Sequence, residues 1–186
     1  MIISQTPLRI SFFGVGSDYP IWYKNYDGEV ISTTINKNIY ISYKILQDFY
    51  KHKFRIIYSK IENVKKITEI SHSVVRSALA HYKINNGAEI HYNSDLPSRA
   101  GVGSSSSFVV GFLNILNAIQ KMKVNKELLF AQSDHFERKI LRENVGSQDQ
   151  YAAVYGGFNN IFFKKEKIFH KKINIEFNNE KKLNEN

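Results

Sequence analysis

The stretch LPSRAGVGSSSS, residues 96–107, does most to constrain what this chain folds into. It leads from a strand signal, AEIHYNSDLP, directly into a strongly apolar run, FVVGFLNIL, and places its serines at the start of that run. A glycine–serine run is either a slack linker or a surface that offers bare backbone. At a helix start the first N–H groups have no partner, the helix dipole favours an anion, and glycine lets the backbone come close to a phosphate. Serine hydroxyls add donors to a phosphate or oxygen ligands for Mg²⁺. The run is neither a Walker A loop nor GxGxxG. Locally it is a phosphate signal, with a flexible linker or simple N-cap serine as the alternative.

Around it the chain divides into strands, then helices, then strands. The Ile-, Tyr-, Phe- and Val-rich runs IIS, RISFF, EVISTTI, NIYISYKIL and FRIIYS read as strands, with turns at Asp27-Gly28 and Gln47-Asp48. Val74, Val75, Ala78, Leu79 and Tyr82 share one face of a helix, and Phe108, Phe112, Leu113, Leu116 and Ile119 mark a second. KELLFAQSDHFERKILRE predicts a third, broken at Asn144-Val145-Gly146, and GGFNNIFF with IFHKKINI closes the sequence as a strand pair. This order predicts an α+β fold rather than alternating βαβ units.

With 186 residues, 42% of them hydrophobic, the chain supports one domain that buries roughly 70% of its unfolded surface. No run of about 18 apolar residues spans a membrane, and MIISQTPLRISFF lacks the layout of a signal peptide. A cytoplasmic protein with no membrane partner is expected. The absence of cysteine excludes disulfides, thiolate metal sites and cysteine nucleophiles. The net charge of +9 is compatible with a polyanion. Because no segment interleaves basic residues with stacking aromatics, the lysines read as solvated faces and nucleic acid is not the expected partner. The six histidines do not assemble a metal site.

Pro97, Gly101, Val102, Gly103, Ser104, Ser105 and Ser106 form a pattern that resembles the second signature of the GHMP kinases, with valine for the usual leucine and serine for the usual alanine. PLRISFFGVGSDYP looks like the first signature of that superfamily's sugar kinases through Pro7, Arg9, Gly14 and Asp18. ERKILRENVGSQDQYAAVYGG is similar to the stretch that carries an acidic metal ligand and then a Gly-x-x-Asp-Gln aspartate. Within the superfamily, SFFGxGSDYP and SQDQYAAVYGGFN most resemble the D-glycero-D-manno-heptose 7-phosphate kinases, with Val15 and Ser17 where glycine and threonine are commoner.

The resemblance implies the N-terminal domain fold of these kinases, which is like that of a ribosomal-protein domain, and ATP and Mg²⁺ as cofactors. It implies transfer of phosphate to a sugar or sugar phosphate, with the anomeric hydroxyl of a heptose 7-phosphate as the expected acceptor. Gly101 to Ser106 would wrap the nucleotide phosphates with Pro97, and Arg99 would add a charged contact, against the alternative of an exposed arginine with no ligand. Ser105 and Glu137 would face Mg²⁺; without the resemblance, Glu137 reads as a solvated partner of a neighbouring Lys or Arg. Asp149 would take the proton of the sugar hydroxyl, although in GSQDQ it also reads as a cap on a short helix. Arg9 would hold that carboxylate ionised and polarise the hydroxyl; otherwise it is one polar position in a half-buried strand. Asp18, with Gly14, Gly16 and Ser17, would bind the sugar, against the alternative of a turn before Pro20.

Nothing after Gly157 resembles the glycine-rich third signature of the family's C-terminal domain. Residues 1–176 are therefore expected to be the N-terminal domain alone, with 177–186 a polar tail or the start of a truncated second domain. A non-catalytic nucleotide-binding fragment, another sugar kinase of fucose or galactose type, and a basic RNA-binding module remain alternatives. A homodimer is compatible with all of them.

Overall fold

In chain order the elements are β1 (Ile2–Phe13), α1 (Pro20–Tyr23), β2 (Gly28–Ile45), β3 (Phe54–Ile57), β4 (Ile61–Val64), α2 (Ser73–His81) and β5 (Ala88–Ser94). There follow α3 (Ser104–Ile119), α4 (Lys126–His135), a π turn over Phe136–Ile140, α5 (Gln148–Tyr155), β6 (Phe158–Phe163) and β7 (Ile168–Lys172). The computed structural model describes residues 1–97 and 100–174; Arg99, the expected tail 177–186 and the expected domain end at 176 lie outside the described residues.

β2 organises the sheet. EVISTTI and NIYISYKIL, expected as separate strands, run together into its 18 residues. It pairs antiparallel with β1 over Ile31–Tyr43, with β6 through Gly28–Thr33 and with β5 through Ile39–Ile45. IIS and RISFF likewise merge into β1, whose register shifts after Pro7, where the backbone has no N–H to donate. The strand order is β4-β3-β5-β2-β6-β7, with β1 lying along β2. Among the described residues only β3 and β5 pair in parallel, so the fold is α+β with a mainly antiparallel sheet.

α3 lies across the sheet as its central helix. Ser4, Thr6 and Leu8 of β1 turn inward beneath it, and their small side chains leave room for its close approach. A Cβ on Gly111 would stand 2.4 Å from Thr6 Oγ1 and 3.0 Å from Ser4 Oγ, which is why glycine interrupts the apolar run FVVGFL. Phe112, Leu113 and Leu116 then pack with Leu8, Ile39, Ile41, Phe54 and Leu79 in the main core, each large side chain contributing about 1.5–3 kcal/mol of burial. Tyr23, Val30, Tyr151, Ile161 and Phe163 form a second cluster beneath α5. Both matter to the site, because they fix the start of α3 and the start of α5 against β1.

α1 and β4 were not expected from the sequence. Each has four residues, too few to show a period, and α1 is marked only by the proline at its start. Among the described residues no helix is long and apolar enough to cross a membrane.

Candidate functional site

The loop after β5 enters α3 at Gly103, whose φ of +73° lies in the left-handed region that glycine adopts without a Cβ penalty. No described side chain caps α3. Its first-turn N–H groups, at Ser104 to Ser106, therefore sit at the positive end of the dipole without a side-chain acceptor. Gly101 and Ser105 are exposed, Val102, Gly103 and Ser104 half-buried, and Pro97 exposed at the loop's entrance.

Arg9, on β1, ties this loop to a carboxylate. Its backbone N–H donates to Val102 O at 3.0 Å, and Nη1 donates to Gly101 O at 2.7 Å. Its Nε and Nη2 each lie 2.7 Å from Asp149 Oδ1, joining residues 140 positions apart. A Cβ on Gly103 would approach Arg9 Cγ to 3.2 Å and the Asp149 carboxyl carbon to 3.4 Å, so the loop rests directly on the ion pair. Burial pushes the Asp149 carboxyl above its ordinary value; Arg9 pulls it back, and Asp18 adds to the upward push. A carboxylate so placed is a base with a raised proton affinity that still has a cation to hold its charge.

The residue that receives the first N–H of α5 is Asp18, not Asp149. Asp18 Oδ2 accepts from Gln148 N at 3.2 Å, and Oδ1 accepts from Gly16 N at 3.1 Å. Asp18 is 1% exposed. Its oxygens brace the start of α5, and through it the position of Asp149. Ser17 is likewise engaged, donating from Oγ to Gly14 O at 2.7 Å and accepting from Glu29 N at 3.0 Å. Gly14 and Gly16 remain exposed beside them.

Glu137 lies in the π turn, where the expected third helix changes its winding; such turns occur frequently at functional sites. It is 0% exposed, which overturns the solvated-glutamate alternative. Ser106 Oγ donates to its Oε1 at 2.9 Å, and Gln150 Nε2 donates to its Oε2. Burial pushes its carboxyl up to about 7 despite these donors. The serine that reaches Glu137 is thus Ser106, while Ser105 stands exposed in the same turn. The described residues hold no group of three or more His, Asp or Glu that would cage a metal ion. A buried carboxylate next to the uncapped start of α3, with no basic partner among the described residues, nevertheless has the chemistry of one hard-cation ligand.

Two members of this site gave little sequence signal. Gln148 Oε1 accepts from Ser11 Oγ at 2.6 Å, and Gln150 holds Glu137. The glutamines flanking the aspartate in SQDQ were the only hint, and a neutral amide names no chemistry by itself.

The family model for the GHMP kinases N terminal domain matches residues 65–157. A D-glycero-alpha-D-manno-heptose 7-phosphate kinase of Campylobacter jejuni is 30% identical over 172 residues, covering 87% of this chain and 50% of that protein. A galactokinase of Pyrococcus furiosus is 36% identical over 84 residues, 44% of this chain and 23% of that one. In structure, a D-glycero-D-manno-heptose 1-phosphate kinase from Bacteroides thetaiotaomicron superposes with a TM-score of 0.80 at 23% identity, over 95% of this chain and 61% of that one. The chain therefore spans about half the length of the heptose kinase it matches.

Proposed function

From the premise that this chain belongs to the GHMP kinase family, we propose that it carries the phosphate-binding and base-bearing part of an ATP-dependent sugar kinase acting on a heptose 7-phosphate. The observation that carries this reading is Arg9, which joins the bare-backbone loop at Gly101 and the carboxylate of Asp149 with contacts of 2.7 Å each. Phosphoryl transfer asks a protein chiefly for positioning and charge neutralisation, and this constellation offers both within one arginine's reach.

The N–H groups of Ser104 to Ser106, at the positive end of the α3 dipole, and the exposed Ser105 hydroxyl would hold the β- and γ-phosphates and meet their charge. The sugar's anomeric hydroxyl would be taken up by Asp149, with the exposed Gly14–Gly16 backbone as a further contact for the sugar. Asp149 accepts the hydroxyl proton as the oxygen bonds to the γ-phosphorus and the bond to the β-phosphate oxygen breaks, releasing ADP. Arg9 keeps Asp149 ionised beforehand and meets the charge growing on the attacking oxygen. Mg²⁺, arriving with ATP, would be held on the protein side by Glu137 and would neutralise phosphate charge. Asp18 contributes by fixing the start of α5. The supply of ATP places this chemistry in the cytoplasm.

Incubation with ATP and a panel of heptose 7-phosphate, galactose and fucose tests the reading. ADP release that depends on the heptose phosphate is expected, and Asp149→Asn removes it while nucleotide affinity stays within about two-fold. Turnover retained in Asp149→Asn contradicts the assigned base. Nucleotide binding without turnover by these 186 residues supports the second reading, a nucleotide-binding unit without catalysis.

A further inference from the structure

Phosphoryl transfer as described gives no task to the buried glutamine next to the proposed base. Gln150 is 0% exposed and stands one position beyond Asp149. Its Nε2 donates to Glu137 Oε2, while its own Oε1 is buried with no hydrogen-bond partner. Ser106, from the first turn of α3, holds the other oxygen of Glu137 at 2.9 Å. The phosphate-loop helix, the π turn and the base-bearing helix thus converge on a single carboxylate.

That cluster is incomplete in a specific sense. A buried carboxylate without a cation and a buried amide oxygen without a donor both carry desolvation costs. A hard cation beside the carboxylate relieves the first, and a water of its shell, donating to the amide oxygen, relieves the second. Gln150 is suited to this because an amide both donates and accepts. Leucine would fill the volume with neither function, and a carboxylate would repel Glu137.

We propose that Gln150 is a positioning residue for the divalent cation that accompanies the nucleotide: its amide hydrogen fixes Glu137 towards the phosphate loop, and its amide oxygen receives a water of the cation's shell. The proposal rests on the kinase reading above. It also ties cation binding to the helix that carries Asp149, so that the cradle is completed only when the cation-bearing nucleotide is in place.

The test is calorimetric titration of the non-hydrolysable ATP analogue AMP-PNP into the wild-type chain and Gln150→Leu, each in EDTA and in excess Mg²⁺. Mg²⁺ is expected to strengthen wild-type binding. Gln150→Leu should reduce that gain about 10-fold, the lower end for residues that support a metal ligand, while its affinity in EDTA stays within about two-fold of wild type. An unchanged Mg²⁺ gain overturns the proposal, as does an equal loss in both buffers, which would mark Gln150 as merely structural. Gln150→Met, unbranched and closer in shape, is read the same way if the leucine variant does not fold, and failure of both to fold also assigns a structural role. A wild-type chain that binds AMP-PNP in neither buffer refutes the kinase reading itself.

Discussion

Two loops with nearly the same vocabulary, Gly101–Ser105 and Gly14–Asp18, do opposite things with it. In the first, Arg9 takes up the Gly101 and Val102 carbonyls, but Gly103 opens α3 with no side-chain cap and Ser105 is exposed, so its donors are left for a visitor. In the second, Ser17 is bonded to Gly14 and Glu29, and Asp18 is bonded to Gly16 and Gln148. One loop presents its donors; the other consumes them. The difference arises from what each loop leads into. The first ends at a helix start that no side chain caps, whereas the second folds back under the start of α5, where the unpaired N–H of Gln148 takes the carboxylate.

If this contrast is right, damage to the second loop should appear as lost stability and damage to the first as lost nucleotide affinity. The largest effect is expected from Asp18→Ala, which leaves the N–H groups of Gly16 and Gln148 without their acceptor and should cost about 2–4 kcal/mol in urea unfolding. A loss under about 0.5 kcal/mol would make Asp18 a free ligand after all. Gly103→Ala forces a Cβ into the left-handed region and against Arg9 and Asp149. It should weaken AMP-PNP binding about 10- to 100-fold while costing roughly 1–2 kcal/mol of stability; the reverse ranking would erase the distinction between the loops. Ser105→Ala, at an exposed position, should leave stability within about 0.5 kcal/mol and lower nucleotide affinity a few-fold.

The smallest effect lies on the flank of the first loop. His72 packs at 5.0 Å from the Tyr58 ring and 5.2 Å from Phe108, which follows the loop's serines on α3. Burial holds its pKa below the ordinary 6.5, with Glu62 working against that shift. The unfolded chain therefore takes up this proton first as pH falls. The contribution is fully present above 6.5 and is lost between 6.5 and the lower folded value. Unfolding midpoints across this window should decline towards acid less in His72→Gln than in wild type; an equal decline would move the acid sensitivity elsewhere.

The legibility of these features in the sequence followed their locality. The glycine–serine loop is readable as a candidate phosphate cradle because its chemistry is written in consecutive residues between a strand and an apolar helix. The family resemblance places Arg9 and Asp149 in one site, but the contact of two guanidinium nitrogens with one carboxylate oxygen, between residues so far apart, depends on β1 running under α3. The inward turn of Asp18 was hidden for the same reason: an aspartate before Tyr19-Pro20 reads as a turn whether it faces solvent or the start of a distant helix. The choice of Ser106 over Ser105 as the partner of Glu137 was set by helix phase, since adjacent residues point about 100° apart around α3 and a π turn displaces Glu137. The strand signals in the sequence are right in kind but shorter than the strands, because the irregularity at Pro7 in β1 looks like an end when no partner strand is visible.

The contrast between the loops, and the proposed seat of the nucleotide, meet in one measurement: backbone amide NMR of the ¹⁵N-labelled chain titrated with Mg²⁺ and AMP-PNP. Saturable shifts at the amides of Gly103 to Ser106 are expected, with Gly16 and Gln148, already bonded to Asp18, moving little. Saturation that shifts the Gly14–Asp18 amides and leaves Gly103 to Ser106 unmoved would contradict the assignment of the α3 start as the phosphate cradle.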